Sequence, residues 1–218
     1  AYLAQKAEVQ FGVRELAREL KTHYGVINRI AEEMQDAIMQ VRMLPVGSVF
    51  QRFPRLVRDL SKKLDKRVRL EISGEDTEAD KNMIEALSEP LIHLLRNSLD
   101  HGIEPPEDRL AAGKPEEGCI HIHAWQEGDR VQIQIRDDGA GIDAERVKAK
   151  ALERGLIGAE RAATMSTQEI QQLIFMPGFS TAAAVSDVSG RGVGMDVVRS
   201  AVMRVNGQID LKSELGVG

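Results

Sequence analysis

His93-Leu94-Leu95-Arg96-Asn97-Ser98-Leu99-Asp100-His101-Gly102 is the stretch that decides the fold of this chain. His93, Asn97 and His101 are spaced by four residues, so on a helix they line one face while leucines cover the other. An Asn carbonyl oxygen is a neutral, hard ligand that suits Mg²⁺, and a His one turn earlier can accept or align a proton. The stretch predicts a helix carrying a metal site at Asn97 and His93, with Arg96 and His101 as further catalytic candidates. A solvated polar face is the alternative for each residue taken alone.

A second segment, Asp137-Asp138-Gly139-Ala140-Gly141, follows a predicted strand. The carboxylate of Asp137 can accept a hydrogen bond from the exocyclic amine of adenine, which guanine lacks. Gly139 and Gly141 let the backbone approach a base closely. The segment therefore predicts an adenine site. An ordinary Asp-Gly turn is the alternative, and Asp138 is expected to be a turn residue.

A third segment, Gly190-Arg191-Gly192-Val193-Gly194, precedes an apolar helix that begins near Met195. Exposed backbone amides at the start of a helix favour phosphate. The spacing matches neither a dinucleotide-binding fingerprint nor a P-loop. The stretch Phe175-Met176-Pro177-Gly178-Phe179-Ser180-Thr181 lies just before it and suits a mobile lid, expected over residues 143–189. Each segment is weak alone, but together the three predict an ATP site.

Composition and charge narrow the class of protein. The 218-residue chain has a net charge of −5, and 42% of its residues are apolar, enough for a core. The acidic balance argues against a protein that coats nucleic acid. A single cysteine excludes an internal disulfide and fits a reducing cytoplasm. No apolar run approaches the roughly 18 residues of a membrane span, and no signal peptide is visible. We expect a cytoplasmic piece of a longer protein.

Residues 1–44 are predicted to form one long helix, since no proline precedes Pro45. Apolar residues from Val13 to Leu44 recur at 3-4-3-4 spacing, the heptad seam of a helix packed on partner helices. The chain offers no second helix of matching length, so we expect the partner from another chain. His23 lies in this seam, where its polar side chain either sets the register of a coiled coil or acts as a pH switch. The break at 43–47 divides the chain into domains 1–44 and 45–218.

The second domain alternates helical and strand patterns. Helices are predicted at 49–64, 80–102, 143–155, 167–174 and 193–205, strands at 68–72, 120–126, 130–136 and 208–213, and an exposed loop at 105–115. Helices interleaved with antiparallel strands predict an α+β fold, a two-layer α/β sandwich. The basic face of the 49–64 helix is either solvated or a docking surface for an acidic partner. His121 and His123 are expected on one strand face, as solvated residues rather than metal ligands, and Cys119 is expected to be inert.

Four longer stretches, 43–60, 91–104, 175–181 and 187–198, carry a resemblance to a known family. With the three segments above, they resemble the N, G1, F and G2 boxes of the GHKL (Bergerat) ATPase fold, in the family's order. More narrowly, residues 9–218 resemble the CheA-type chemotaxis histidine kinases or CheA-like hybrid sensor kinases. The long first helix would then be part of a dimerisation domain.

The resemblance implies roles for individual residues. Asn97 and His93 would hold Mg²⁺, and these two together with Arg96 and His101 would form the catalytic group. His93 stands where hydrolytic relatives carry a Glu, which fits transfer to a protein histidine better than hydrolysis. Contacts to ATP would come from Asp137, Gly139, Gly141, Arg146, Lys150, Ser180, Gly190, Gly192, Val193, Gly194 and Met195.

The resemblance also implies a function. The 45–218 domain would transfer the γ-phosphoryl group of Mg-ATP to a histidine on a separate phosphotransfer domain. Further expected partners are a response regulator, a coupling protein, a receptor array and a second copy of the chain in a homodimer, but no nucleic acid. Because 214–218 resembles a third glycine box, we expect the domain to be truncated at its C-terminal end. A GHKL ATPase that hydrolyses ATP, or a non-catalytic dimerising scaffold, are the alternatives.

Overall fold

The computed structural model describes residues 14–179 and 194–218, without the side chains of residues 14–17 and 35–41. The chain divides into two compact units, Ala1–Met43 and Leu44–Gly218. The first unit contains the helix α1 (Arg14–Arg42). Four of its described seam residues are exposed: Leu20, Ile27, Ile30 and Met34. Pairing of this seam with another helix stays a prediction. Within the described ranges, no helix is long and apolar enough to cross a bilayer.

After α1 the chain alternates short strands and helices. Their order is β1 (Met43–Pro45), α2 (Gly47–Phe50), α3 (Phe53–Lys63), β2 (Val68–Ser73), β3 (Glu78–Asp80), α4 (Lys81–Asn97), a π-helical turn (Ser98–Gly102), α5 (Pro106–Ala111), β4 (Gly118–Glu127), β5 (Arg130–Asp137), α6 (Ala144–Glu153), α7 (Ala159–Thr164), α8 (Thr167–Gln172), a 3₁₀ turn (Leu173–Phe175) and α9 (Met195–Arg204). Strands β1 and β3 pair in a two-stranded sheet.

The main sheet has the strand order β2-β4-β5. Strand β2 runs parallel to β4, with Glu71 opposite His121, and β4 runs antiparallel to β5, with Ile120 opposite Asp137. The β4–β5 hairpin turns at Gly128, whose φ of +64° is a conformation that glycine adopts without strain. The predicted strands at 68–72, 120–126 and 130–136 are therefore confirmed.

The hydrophobic core lies on one face of this sheet. Ile120, Ile122 and Ala124, alternate residues of β4, are buried against helices α3 and α4. Phe50 and Phe53 fill the same core, with ring centroids 5.5 Å apart. A second, smaller cluster is formed by α6, α7, α8 and the residues around Phe179. The layer of helices on a sheet confirms the predicted α+β sandwich.

Three predictions about local structure are wrong. The 80–102 helix is α-helical only to Asn97 and ends in the π-helical turn, because Ile103 N donates to Ser98 O at 2.7 Å. The 105–115 loop contains α5, which begins with a proline at its first turn. The 208–213 segment alternates in exposure but is not a strand. Its last residue, Ser213, uses its hydroxyl to accept from Ile142 N and to donate to Gly218 O.

Candidate active site

Helix α4 carries the polar face on which the site is built. Its N-cap is Asp80, whose side chain accepts a hydrogen bond from Asn82 N. The apolar residues Ile84, Leu91 and Leu95 are buried in the core. Side chains of the opposite face, including those of His93, Arg96 and Asn97, are half-buried. The helix therefore holds these polar groups at the border between the core and the solvent.

The π-helical turn follows directly after Asn97. Lys66, from the loop between α3 and β2, donates through Nζ to Leu99 O at 2.6 Å and to Asp100 O at 3.1 Å. Burial lowers the pKa of Lys66, and the nearby Asp100 and Glu104 oppose that shift. Turns of this kind are frequent at functional sites, and here the turn leaves His101 exposed. Sequence reasoning missed Lys66, because nothing in its sequence neighbourhood distinguishes it from the other surface lysines.

One hydrogen bond across the turn joins α4 to the end of β5. Ser98 Oγ donates to Asp137 Oδ2 at 2.8 Å, and Gly139 N donates to Asp137 Oδ1 at 3.1 Å. Each carboxylate oxygen accepts about two hydrogen bonds, so Asp137 is oriented by two donors and keeps capacity for a ligand. Asn97, one residue before Ser98, is therefore held close to Asp137.

The glycines of this loop are needed for close packing. A Cβ on Gly139 would lie 2.2 Å from Gly102 O, a carbonyl that also accepts from Ala140 N at 2.9 Å. Gly141 has a φ of +71°, and a Cβ there would lie 2.3 Å from Glu214 O. The loop is thus pressed between the π-helical turn and the C-terminal residues, and a side chain at either glycine would separate them.

The start of α9 contacts the end of α4. Asn97 Nδ2 donates to Met195 Sδ at 3.0 Å, and Gly194 is buried just before the helix. Asp196, in the first turn of α9, acts electrostatically on His93. The described end of the third segment therefore lies beside the metal-binding candidates. Ser180, Gly190, Gly192 and Val193 lie outside the described residues, as does the expected lid from residue 180 on.

His93 and Arg96 give this corner its electrostatic character. Burial, followed by the charge of Arg96, lowers the pKa of His93, although Asp100 and Asp196 act in the opposite direction. The imidazole is thus a neutral base at neutral pH. Arg96 Nε is buried and has no hydrogen-bond partner among the described residues. This cationic donor suits an anionic ligand.

The side-chain oxygen of Asn97 suits a magnesium ion, and His93 lies one helical turn before it on the same face of α4. Because Asn97 Nδ2 donates to Met195, its oxygen is the atom that remains for a cation. Within the described part of the chain this oxygen accepts no hydrogen bond. A neutral amide oxygen beside an unsatisfied arginine donor suits Mg²⁺ together with phosphate.

Arg146 and Lys150 lie on α6. With Arg154 they line an open groove of about 610 Å³, whose lining does not include Asn97 or Asp137. Lys150 Nζ lies 5.5 Å from the centre of the Phe179 ring. Burial lowers the pKa of Lys150, and so do the charges of Arg154 and Arg146. The groove is cationic and adjoins the last residues described before the gap.

The largest feature that sequence reasoning missed is an ionic cluster behind the Asp137 loop. Arg109 is completely buried and donates to Glu104 Oε2 at 3.1 Å and to Asp138 Oδ2 at 2.8 Å. Lys114 Nζ donates to Glu104 Oε1, Asp138 O and Gly139 O. Burial alone would raise the pKa of Glu104, but the bond from Lys114 and both cations outweigh it and lower it. The sequence predicts an exposed loop at 105–115, so nothing in it indicated that charged residues of this region are buried.

Comparison with known proteins identifies the family to which the chain is similar. Residues 85–218 match the family described as histidine kinase-, DNA gyrase B-, and HSP90-like ATPase. The sensor histidine kinase CheAY of Helicobacter pylori is 48% identical over 211 residues, 97% of this chain and 26% of that protein. The chemotaxis protein CheA of Treponema pallidum is 46% identical over 207 residues, 95% of this chain and 25% of that protein.

The same name is carried by a protein of Bacillus subtilis, which is 47% identical over 192 residues, 88% of this chain and 29% of that protein. The chain thus spans between a quarter and a third of the length of these relatives. Among solved structures, a histidine kinase domain from the Erythrobacter litoralis EL346 blue-light activated histidine kinase superposes with a TM-score of 0.34 at 12% identity. The superposition covers 60% of this chain and 51% of the solved chain.

Proposed function

The chain belongs to the family of histidine kinase-, DNA gyrase B- and HSP90-like ATPases, and we propose that it is the ATP-binding catalytic domain of a chemotaxis-type histidine kinase. In this proposal it transfers the γ-phosphoryl group of ATP to a histidine on a separate phosphotransfer domain. The bond between the γ-phosphorus and the bridging oxygen breaks, a phosphorus–nitrogen bond forms, and ADP leaves.

The observation that carries the proposal is the convergence of the first two segments with the start of α9, where the described end of the third segment lies. Ser98 joins the end of α4 to Asp137 through a 2.8 Å hydrogen bond, and Asn97 contacts Met195 at the start of α9. A carboxylate for adenine, an amide oxygen for a cation and the N-terminal end of a helix for phosphate therefore share one corner.

Each residue then has a proposed task. Asp137 accepts the exocyclic amine of adenine, while Gly139 and Gly141 keep the loop close enough for the base to enter. Arg96 donates to phosphate, and His101 stands at the exposed end of the turn. Further nucleotide contacts are proposed for Arg146, Lys150, Ser180, Gly190, Gly192, Val193, Gly194 and Met195.

Asn97 and His93 are the proposed holders of Mg²⁺. When bound, the ion neutralises the charge that develops on the phosphates. His93, kept neutral by burial and by Arg96, stands at the position where hydrolytic relatives carry a Glu that activates water. Positioning, rather than water activation, is therefore the task of this face of α4, and this favours transfer over hydrolysis.

The partners of the whole protein are proposed from the resemblance to chemotaxis-type histidine kinases. We propose a histidine phosphotransfer domain, a response regulator, and a coupling protein within a receptor array. We also propose a cytoplasmic location and a homodimer that pairs through α1, whose described seam residues are exposed.

The test is nucleotide binding by isothermal titration calorimetry, with ATP and GTP, with and without Mg²⁺. ATP should bind more tightly than GTP, and Mg²⁺ should tighten ATP. Asp137→Asn should weaken ATP binding by about 10- to 100-fold, since a hydrogen bond to a charged group is worth about 1.5–3 kcal/mol. Asp129→Asn, in the exposed β4–β5 turn, is the matched control. Equal binding of ATP by the two variants would contradict the adenine role.

Transfer is tested with γ-labelled ATP and a supplied phosphotransfer domain. Label on the acceptor histidine supports the kinase, whereas release of inorganic phosphate alone supports a hydrolase. Asn97→Asp should abolish Mg²⁺-dependent transfer, because the replacement puts a negative charge beside the negatively charged phosphates. Asn82→Asp, at the exposed start of the same helix, should leave transfer unchanged.

A further inference from the structure

The face of the main sheet away from the core carries a cluster of three metal-ligating side chains. Glu71 on β2 lies opposite His121 on β4, and Cys119 is two residues before His121, so all three side chains point to the same face. One ligand atom from each residue can be chosen so that all three lie within 4.8 Å of one another. The sequence could not show this, because Glu71 comes from a strand 48 residues earlier.

The three residues form a chain of contacts with a defined direction. His121 Nδ1 lies 2.9 Å from Glu71 Oε2, and His121 Nε2 lies 3.2 Å from Cys119 Sγ. A carboxylate beside Nδ1 holds the N–H on that nitrogen, so the lone pair of Nε2 faces the sulfur. Metal-binding histidines almost always donate their second ring N–H to a carboxylate, a backbone carbonyl or water.

We propose that Cys119 Sγ and His121 Nε2 bind Zn²⁺, with Glu71 orienting the imidazole and water completing the coordination. Burial raises the pKa of the Cys119 thiol, so the sulfur keeps its proton until an ion displaces it. The thiol proton is released to solvent as the zinc–sulfur bond forms.

The distance between Cys119 Sγ and His121 Nε2 suits two ligands of one zinc ion. Tetrahedral bonds of about 2.3 Å to sulfur and 2.0–2.1 Å to nitrogen set the two atoms roughly 3.5 Å apart. The present separation of 3.2 Å between Sγ and Nε2 needs to widen only slightly. His121 is exposed, so water can fill the remaining positions.

The sulfur is held in place by its own backbone. Cys119 N donates to Asp138 Oδ1 at 2.9 Å, and Cys119 O accepts from Asp138 N at 3.2 Å. Asp138 is in turn bound by the buried Arg109. Close by, Arg69 contacts Glu71 and lies 3.6 Å from Glu117, so two carboxylates balance its charge beside the site.

Cobalt titration of the whole chain tests the site, because Cys119 is the single cysteine. Any thiolate-to-cobalt charge-transfer band therefore reports on this residue. We expect one equivalent of Co²⁺ to produce the band and Zn²⁺ to abolish it by displacement. Cys119→Ser should remove the band. His121→Ala should weaken Co²⁺ binding at least 10-fold, and Glu71→Gln by about 10- to 100-fold, as for other carboxylates behind a histidine ligand.

His123→Ala is the matched control, since it removes a histidine two residues along the same strand face. His123 stacks on Trp125 and contacts Ser73, so this variant should keep the affinity for Co²⁺. Circular dichroism checks that each variant is folded. No charge-transfer band at saturating Co²⁺, or equal affinity in wild type, His121→Ala and Glu71→Gln, would overturn the proposal. Neither result bears on ATP binding, which uses other residues.

Discussion

Replacing the buried Arg109 with Met should destabilise the second unit far more than replacing the exposed Arg67 with Met. The Arg109 side chain is 1% exposed and makes four donations, to Pro115 O, Glu104, Asp138 O and the Asp138 carboxylate. Removing one member of a buried ion pair costs about 3–5 kcal/mol, because the other charge is left without a partner.

Two features place the expected loss at the lower end of that range. The Asp138 side chain is 41% exposed, so water can replace the guanidinium in part, and Glu104 keeps its 2.7 Å contact with Lys114. We therefore expect the free energy of unfolding to fall by about 3 kcal/mol. That is a roughly 150-fold smaller folding constant.

Arg67→Met is the control, because the same chemistry is present there without burial. Arg67 Nη1 lies 2.7 Å from Glu116 Oε2, but the two side chains are 65% and 42% exposed. An exposed pair contributes about 0–1 kcal/mol. Urea unfolding, followed by the fluorescence of Trp125, the single tryptophan on β4, measures both variants. Equal losses in the two variants would refute the claim that burial makes the Arg109 cluster important.

Three further changes have defined outcomes. Gly139→Ala should abolish ATP binding in calorimetry, because the new Cβ would lie 2.2 Å from Gly102 O, and unaltered affinity would contradict the close packing. Lys66→Met removes two hydrogen bonds from a charged donor to the π-helical turn; it should cost about 1–3 kcal/mol in urea unfolding and speed hydrogen exchange in the turn, and exchange at the wild-type rate would count against it. Burial and Arg96 lower the pKa of His93, so Mg²⁺-dependent transfer should persist as the pH falls and be lost only below the ordinary pKa of about 6.5. A loss of transfer centred at or above that value would show that His93 is not held neutral.

The elements whose side chains alternate or repeat were predictable from the sequence. Strands β4 and β5 and their turn follow from a two-residue alternation around Gly128, and α4 follows from its leucines. The π-helical turn was not predictable, because its stability depends on Lys66, which lies 33 residues before Leu99. Local periodicity cannot indicate a donor that arrives from another loop.

Residues of the candidate site were predictable only where the side chain's own functional group suggests a ligand. Asn97 and Asp137 could be chosen because a neutral amide oxygen and a carboxylate shortly before glycines suggest specific ligands. Arg109 and Lys114 could not, because a charged residue between prolines usually lies in solvent. Their burial depends on Glu104 and Asp138, and ion pairs of this kind are visible only in three dimensions.

The two adjacent aspartates show how the fold separates structure from binding. Asp138 is paired with Arg109 and accepts from the Cys119 amide, although its side chain is 41% exposed. Asp137 accepts only from the uncharged donors Ser98 and Gly139 among the described residues. A carboxylate without a cation remains a strong acceptor for an incoming amine, whereas one held by a guanidinium does not. The cluster behind the loop therefore fixes Asp138, while the neighbouring Asp137 keeps acceptor capacity for the proposed adenine.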